Sequence, residues 1–297
     1  MAPMSSPVAT ILALDDPKAE RLVAILRELD RVAVAYSGGV DSAFLLKAAH
    51  DVLGDRATGV LATSESLDRS ELEGARRVAV ELGIPIRIIE TREYDNPDYR
   101  RNSPDRCYHC KSELFAKVVE LARAEGIPHV ADGSNLDDQG DYRPGLRARS
   151  EKGVRSSLAE AGLAKADIRR LSRLLGVPTW DKPSAPCLSS RIPYGSEVTE
   201  AKLRAVEAAE GALRDLGFRE VRVRHHDQVA RIEIPTAQIA RFLEESVRSQ
   251  AVARVKAAGF LYVTLDIQGL RSGSMNEALK PRAAAAPMVK PESIERL

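Results

Sequence analysis

Several features are missing from this 297-residue sequence, and each absence excludes a class of protein. Neither charge is in excess, since 44 Lys and Arg residues balance 43 Asp and Glu residues. This balance counts against nucleic acid or an anionic membrane as partner, because those partners favour a markedly basic domain or stripe. No apolar run approaches the ~18 to 20 residues of a transmembrane helix. Residues 1–10 have neither the cationic start nor the apolar run of a signal peptide, so we expect a cytoplasmic protein.

Cysteine is also scarce. The chain has three cysteines, and an odd number argues against a framework of disulfides. Metal binding or catalysis is the better use for so few thiols in a cytoplasmic protein.

Two common nucleotide-binding motifs are absent as well. No Gly-Lys-Ser or Gly-Lys-Thr occurs, and no Gly-x-Gly-x-x-Gly follows a predicted strand. What is present is an apolar strand at residues 33–36 that runs into Ser-Gly-Gly-Val-Asp-Ser at residues 37–42, called here the 37–42 loop. A helix is predicted directly after it, from Asp41 to about Ala49. A strand, a tight turn and a helix in this order predict a phosphate-binding loop.

The residue types of the 37–42 loop suit a pyrophosphate with a metal ion. Gly38 and Gly39 lack a Cβ, so backbone N–H groups can approach phosphate oxygens. Ser37 and Ser42 can donate hydrogen bonds, and Asp41 suits Mg²⁺ that bridges it to a nucleotide. The alternative is a plain Gly-Gly turn. The loop resembles that of the PP-loop ATP pyrophosphatases, which implies cleavage of ATP between its α- and β-phosphates, giving an adenylylated substrate and pyrophosphate.

Strands and helices alternate from residue 15 to residue 133, which predicts an α/β fold with a parallel sheet and ligands at the carboxyl ends of its strands. From about residue 193 the pattern changes to that of a smaller α+β domain with an antiparallel or mixed sheet. We therefore predict a PP-loop, nucleotide-hydrolase-like domain at residues 15–190 and an α+β domain at residues 191–280. Residues 281–297 contain three prolines and few large apolar residues, so we expect a mobile tail.

Polar residues at two further strand ends are candidates for contact with the nucleotide. Gly133 allows close approach, Ser134 and Asn135 can contact the nucleotide, and Asp137 or its neighbour can hold Mg²⁺ or a ribose hydroxyl. A turn closed by Asx hydrogen bonds is the alternative for this segment.

Thr63 and Ser64 close the second predicted strand and could meet the adenine through their backbone. The alternative is a strand end that is polar without a function.

The three cysteines form the second informative group. Cys107 and Cys110 have Cys-x-x-Cys spacing, which lets two thiolates bind one metal centre, and Cys187 could supply a third. Three thiolates on a [4Fe-4S] cluster leave one iron open, which could carry a sulfide for transfer. The alternatives are a zinc site with a histidine, a redox or persulfide-forming pair, and three unrelated thiols. Cys187 lies in an irregular, proline-containing segment, which favours a functional thiol over a structural one.

Charged residues of the second domain form another candidate site. Arg222 and Arg224 alternate on a predicted strand and so project from the same face, where two guanidinium groups would suit a phosphate. A solvated charged face is the alternative. Glu210 and Glu233 are candidates for binding a cation nearby.

Taken together, residues 37–42, 107–111, 133–138 and 182–191 resemble the LarE family, over about residues 15–279. This resemblance implies an oligomeric enzyme that inserts sulfur into pyridinium-3,5-biscarboxylic acid mononucleotide, during synthesis of the nickel-pincer nucleotide cofactor of lactate racemase. It implies ATP binding by the 37–42 loop, sulfur handling by Cys187 and substrate phosphate binding by Arg222 and Arg224. Some members have one cysteine and sacrifice its sulfur, whereas this sequence, with Cys107 and Cys110, resembles the members that carry a cluster.

The reaction implied is adenylylation of a carboxylate followed by attack of sulfur, from a cluster-held sulfide or from Cys187, to give a thiocarboxylate. We expect ATP, Mg²⁺ and a [4Fe-4S] cluster as cofactors and ligands. A tRNA-thiolating PP-loop enzyme is the first alternative, and the neutral charge counts against it. A non-catalytic ATP-binding regulatory module is the second.

Overall fold

A four-stranded parallel sheet organises the first part of the fold in the computed structural model, which describes residues 10–140, 144–271 and 273–279. The strand order is β3-β2-β1-β4. The strands are β1 (Val32–Tyr36), β2 (Ala57–Thr63), β3 (Ile86–Glu90) and β4 (His129–Asp132). Strand β1 pairs in parallel with both β2 and β4 and is apolar throughout, as a strand covered on both faces must be.

Helices cover both faces of this sheet. Those of the first part are α1 (Pro17–Leu29), α2 (Val40–Leu53), α3 (Arg69–Glu81), α4 (Pro97–Arg100), α5 (Arg106–Ala124), α6 (Pro144–Glu151), α7 (Ser157–Glu160) and α8 (Lys165–Leu174). Alternate residues of β1 serve the two faces: Val32 and Val34 pack in the core that contains α1, α2 and α8, whereas Ala33 packs with Phe115 and Val118 of α5. This two-sided packing brings the carboxyl ends of the strands to one open edge.

The second part is built on a smaller mixed sheet. Its strands are β5 (Arg222–His226), β6 (Val229–Glu233) and β7 (Tyr262–Leu265), in the order β5-β6-β7. Strand β6 is antiparallel to β5 and parallel to β7. Helices α9 (Glu200–Asp215), α10 (Ile239–Leu243) and α11 (Glu245–Ala257) accompany it, and its core includes Leu213, Phe218, Ile232 and Phe242.

Asn102 ties the two parts together. Its backbone has a φ of 56°, a left-handed conformation that asparagine tolerates better than most residues. Its side-chain amide donates to the carbonyl oxygens of Ile192, Pro193 and Ser196, at 3.1, 2.8 and 2.9 Å. Tyr99 of α4 is buried in the same junction. The predicted boundary between residues 190 and 191 falls inside this packed region and stays a prediction.

The predicted fold class is confirmed, and the two sheets lie where the alternation of strands and helices indicated. Helix α5 begins at Arg106, so Cys107 and Cys110 are helical. A short 3-10 turn at Thr236–Gln238 precedes α10. Residues 281–297 lie outside the described residues. Within the described ranges, no helix combines the length and apolarity needed to cross a membrane.

Candidate functional site

The 37–42 loop connects β1 to α2 at the open edge of the parallel sheet. The hydroxyl oxygens of Ser37 and Ser42 lie 3.0 Å apart, and the Ser37 backbone N–H donates to the Ser42 hydroxyl at 3.1 Å. The Ser42 hydroxyl also donates to the carbonyl oxygen of Gly39 at 3.3 Å. These bonds close the loop on itself, so hydrogen bonds within the loop define its shape.

Gly38 and Gly133 are the positions where a side chain would not fit. Gly38 has a φ of 70°, and a Cβ there would lie 2.5 Å from the Cβ of Ala75 in α3. A Cβ on Gly133, just after β4, would lie 2.8 Å from the backbone nitrogen of Ser42. Gly38 therefore permits the loop to approach α3 closely, and Gly133 permits the segment after β4 to approach the loop.

The segment after β4 is a turn closed by its own side chains. The Asp132 carboxylate accepts from the Ser134 hydroxyl at 2.8 Å, and the Asn135 side-chain oxygen accepts from the Asp137 N–H at 2.9 Å. The Asp137 carboxylate accepts from the Lys165 N–H at 2.8 Å. The structure thus brings Gly133 and its neighbours beside the 37–42 loop, with Asn135 buried and its oxygen engaged in the turn.

Asp41 and Lys165 form an ion pair at the centre of this region. The ammonium of Lys165 contacts Oδ2 of Asp41. The other oxygen, Oδ1, is buried and has no hydrogen-bond partner among the described residues. Burial raises the pKa of Asp41, the Lys165 ammonium opposes that rise, and the charge of Asp138 adds to it. A buried carboxylate oxygen without a partner fits a divalent cation such as Mg²⁺.

Thr63 and Ser64 lie at the end of β2. They line a cavity of about 250 Å³ together with Arg69, Glu90 and Arg204. The residues that line it come from the first part of the chain and from α9, so the cavity opens between the two parts.

The segment that carries Cys187 lies across the 37–42 loop. The ammonium of Lys182 donates to the carbonyl oxygen of Gly38 at 3.1 Å and pairs with Glu71 of α3 at 2.7 Å. The backbone N–H of Leu188 donates to the carbonyl oxygen of Ser66 at 2.9 Å. Residues on both sides of Cys187 are thereby attached to the carboxyl edge of the sheet.

The three cysteines are free thiols. Burial raises the pKa of the Cys110 thiol, with the charges of Glu93 and Cys187 adding to the rise. The pKa of Cys107 is raised by desolvation and by Cys187, although part of its surface is exposed. Cys187 is therefore an electrostatic neighbour of both members of the Cys-x-x-Cys pair.

Thiolates are the ligand type that iron–sulfur clusters use. Among the described residues, no group of three or more His, Cys, Asp or Glu side chains is arranged to hold one metal ion. In an iron–sulfur cluster each thiolate binds a different iron, so the ligands need not surround one point. Three free thiols from α5 and the 182–191 segment have the chemistry that such a cluster requires.

Two buried ion pairs lie where the Cys187 segment meets the second part of the fold. Arg191 makes two hydrogen bonds to Glu210, at 2.7 and 2.9 Å, and Arg224 bonds to Glu233 at 2.7 Å. Arg224 also donates to the carbonyl oxygen of Ser190 at 2.9 Å. The two glutamates predicted to bind a cation thus have arginine partners in the structure, and the cation stays a prediction.

Arg222 differs from Arg224. Its side chain is partly buried, and within the described residues that side chain has neither a hydrogen bond nor an ion pair. Desolvation lowers the pKa of Arg222, and the neighbouring charges of Arg224 and Arg191 lower it further. The charges of Glu233 and Glu210 act in the opposite direction, but neither carboxylate is hydrogen-bonded to Arg222 among the described residues. The Arg222 guanidinium therefore keeps its N–H donors for an anion.

Comparison with known proteins adds a family to this geometry. No protein-family model matches the chain. A pyridinium-3,5-bisthiocarboxylic acid mononucleotide synthase from Lactiplantibacillus plantarum is 44% identical over 264 residues, which cover 88% of this chain and 95% of that protein. The chain belongs to the LarE family. An uncharacterized protein from Synechocystis sp. is 48% identical over 264 residues, 89% of this chain and 98% of its own length.

A more distant group of relatives agrees with the fold. The tRNA-specific 2-thiouridylase MnmA from Roseiflexus sp. is 31% identical over 216 residues, which cover 61% of this chain and 54% of that protein. This similarity supports the prediction from the 37–42 loop that the chain belongs to the PP-loop superfamily.

Sequence reasoning missed several residues that the structure places at the site. Lys165 reaches Asp41 from α8, Arg106 donates to the carbonyl oxygen of Ser189 at 2.8 Å, and Glu93 interacts with Cys110. The apolar spacing of Ile168, Leu171 and Leu175 could have revealed α8. No local signal distinguishes Arg106 or Glu93 from surface charges.

Proposed function

We propose that this chain is an ATP-dependent sulfur transferase. It adenylylates a carboxylate of pyridinium-3,5-biscarboxylic acid mononucleotide and converts it to a thiocarboxylate, with release of AMP and pyrophosphate. The observation that carries the proposal is the 44% identity to the Lactiplantibacillus plantarum synthase over nearly the whole of that protein. The proposal includes a cytoplasmic homo-oligomer.

The 37–42 loop binds ATP in this proposal. Ser37, Ser42 and the N–H groups around Gly39 bind the pyrophosphate, and Asp41 holds Mg²⁺ through the oxygen that has no partner among the described residues. The positive end of α2, a 14-residue helix, faces the same phosphates. Charge that builds on the departing pyrophosphate is thereby stabilised while AMP is attached to the substrate carboxylate. Thr63, Ser64 and the Gly133–Asp137 turn are proposed to bind the nucleoside.

Arg222 binds the substrate phosphate, with Arg224 beside it. Arg222 has no hydrogen-bonded carboxylate among the described residues, although the charges of Glu233 and Glu210 act on it. Arg224, in contrast, is bonded to Glu233 at 2.7 Å and to Ser274 at 2.9 Å. Arg224 therefore fixes the strand and adds positive charge, and Arg222 makes the direct contact. The nearby Arg191, also engaged with Glu210, increases the positive charge at this point.

Cys107, Cys110 and Cys187 hold a [4Fe-4S] cluster. When bound by three thiolates, such a cluster has one iron without a protein ligand, which can carry the sulfur to be transferred. The chain positions Cys187 through Arg191, which donates to its carbonyl oxygen at 3.2 Å, and through Leu188 bonded to Ser66. If the sulfur instead came from Cys187 itself, the reaction would leave this residue without its Sγ.

One experiment separates these sources of sulfur. The protein is purified without oxygen, its iron and sulfide are measured, and its mass is determined before and after turnover with ATP and the biscarboxylate mononucleotide. About four irons per chain and an unchanged protein mass are expected. Loss of one sulfur atom from Cys187 would replace the cluster proposal with a sacrificial one. The Cys107→Ser/Cys110→Ser double variant, which retains Cys187, should lose both iron and thiocarboxylate formation.

The similarity to MnmA keeps tRNA thiolation as a second candidate. That reaction would require tight tRNA binding that weakens steeply as salt rises. A regulatory module would bind ATP without forming AMP. Thiocarboxylate and AMP formed in equal amounts, with no tRNA binding, support the proposed function against both alternatives.

A further inference from the structure

Helix α8 touches both the 37–42 loop and the segment that carries Cys187. Its first residue, Lys165, pairs with Asp41 across 124 positions of the chain. One helical turn later, Arg169 donates to the carbonyl oxygens of Trp180 and Lys182, each at 2.8 Å. Residues four apart lie on the same side of a helix, so both contacts belong to one face of α8.

The contact at Asp41 is one that a cation could take over. Lys165 engages only Oδ2, while Oδ1 is buried and has no hydrogen-bond partner among the described residues. The Lys165 side chain is 38% exposed, so its ammonium can move into solvent or toward a phosphate. A buried carboxylate needs a compensating positive charge. The Lys165 ammonium can supply that charge before a metal ion binds.

The contacts at the other end of α8 lead back to the loop. Lys182, whose carbonyl oxygen Arg169 holds, donates from its ammonium to the carbonyl oxygen of Gly38. The charge of Arg169 also acts on Asp41 directly. Contacts thus lead from Asp41 through α8 to the segment that begins at Trp180, and from that segment back to Gly38 of the 37–42 loop. A change at Asp41 therefore acts on a segment that ends, five residues after Lys182, at Cys187.

We propose that Lys165 is a positioning residue: it neutralises Asp41 until the divalent cation of MgATP replaces it, and α8 transmits this exchange through Arg169 to the Cys187 segment. Released from Asp41, the Lys165 ammonium lies next to the incoming phosphates and adds to their binding. The inference rests on the proposed binding of MgATP by the 37–42 loop. It assigns to α8 the link between the ATP step and the sulfur step.

Two substitutions test the first half of the inference. Titration calorimetry gives the Kd of ATP in EDTA and in excess Mg²⁺ for the wild type, Lys165→Met and Lys165→Arg. Without Lys165, metal-free ATP meets the uncompensated charge of Asp41, so its Kd should rise about tenfold more than the Kd of MgATP. Lys165→Arg should restore the wild-type ratio. Lys18→Met is the matched control, because it removes a different lysine–carboxylate pair, the one that Lys18 of α1 forms with Asp167 of α8.

The fluorescence of Trp180 tests the second half of the inference, the transmission through Arg169 to the Cys187 segment. It is the single tryptophan of the chain, and the guanidinium carbon of Arg173 lies 5.1 Å from the centre of its indole ring. MgATP should change the Trp180 emission of the wild type, and Arg169→Gln should lose at least about half of that change while it still binds MgATP. Arg170→Gln, which breaks an α8 contact with Asp16 instead, should keep the change.

The outcomes separate the inference from the proposed function. Equal weakening of ATP and MgATP binding by Lys165→Met, or an unaltered Trp180 response in Arg169→Gln, would overturn the inference while the synthase activity stands. A wild-type protein that binds no ATP would overturn both.

Discussion

Arg191 and Glu210 form a two-point ion pair in the interior, with Nε and Nη2 of the arginine bonded to the two carboxylate oxygens at 2.7 and 2.9 Å. The third nitrogen of Arg191 donates to the carbonyl oxygen of Pro186 at 2.6 Å, and Glu210 also accepts the backbone N–H of Val223 at 2.9 Å. This ion pair therefore connects the segment around Cys187 to strand β5, which begins at Arg222.

Glu210→Gln should reduce the free energy of unfolding by about 3 kcal/mol, because it leaves Arg191 buried without its counter-charge. Urea unfolding followed by circular dichroism measures this loss. Glu200→Gln is the control: its pair with Arg204 is exposed at 3.6 Å, and its removal should cost less than about 0.5 kcal/mol. Similar losses in the two variants would contradict a special role for the buried pair.

Gly38→Ala should weaken MgATP binding and lower stability. An alanine at a φ of 70° costs about 1 to 2 kcal/mol, and its Cβ would in addition displace Ala75. Gly54→Ala shares the positive φ, at 59°, but a Cβ there meets nothing within 4 Å. The difference between the two variants, measured by urea unfolding and by calorimetry with MgATP, isolates the effect of the close approach. We expect Gly54→Ala to bind MgATP as the wild type does.

Arg222→Gln should raise the KM for the mononucleotide about tenfold, because a phosphate contact worth roughly 1.4 kcal/mol is lost. The Kd of MgATP should stay unchanged, since Arg222 is assigned to the other substrate. Steady-state kinetics with varied mononucleotide provides the measurement, and Arg219→Gln, an exposed arginine three residues earlier, provides the control. An equal loss for both arginines would indicate a general charge effect.

The stabilising contribution of Asp68 should disappear in acid. Burial by itself would raise its pKa, but hydrogen bonds from Ser70 and the charge of Arg214 lower the pKa below its usual 3.8. The stability that Asp68 contributes is therefore present above the unfolded pKa and is lost as the pH falls through the lower, folded pKa. Urea unfolding of wild type and Asp68→Asn should differ most near neutral pH and converge at low pH. A difference that is constant with pH would contradict the assignment.

The parts of the site that could be predicted are those with a local signal. The loop at residues 37–42 needs its glycines and its strand–turn–helix setting within about ten residues, so the sequence alone locates it. The alternation of β1, β2, β3 and β4 with helices was sufficient to predict a parallel sheet. Residues 106–110, in contrast, carry no apolar stripe, so the sequence does not reveal that Cys107 and Cys110 lie on α5.

Arg222 and Arg224 illustrate what the pattern could not resolve. Alternation on β5 predicted two equivalent arginines, but Glu233 pairs with β5 at position 222 and gives its carboxylate to Arg224. The choice between the two arginines depends on the register of β6 and on Ser274, which lies 50 positions from Arg224.

Short local segments of the sequence were sufficient to predict the 37–42 loop, the fold class and the resemblance to the LarE family. Turn geometry and strand burial depend on residues that are neighbours in the chain. Which charges meet was decided only by the packing of distant elements. Lys165 reaches Asp41, Arg191 reaches Glu210 and Cys187 approaches Cys110 because α8, α9 and the 182–191 segment converge on one edge of the sheet. Ion pairs between distant residues leave no periodicity in a sequence, and buried charges must be neutralised by whatever partner the fold brings to them.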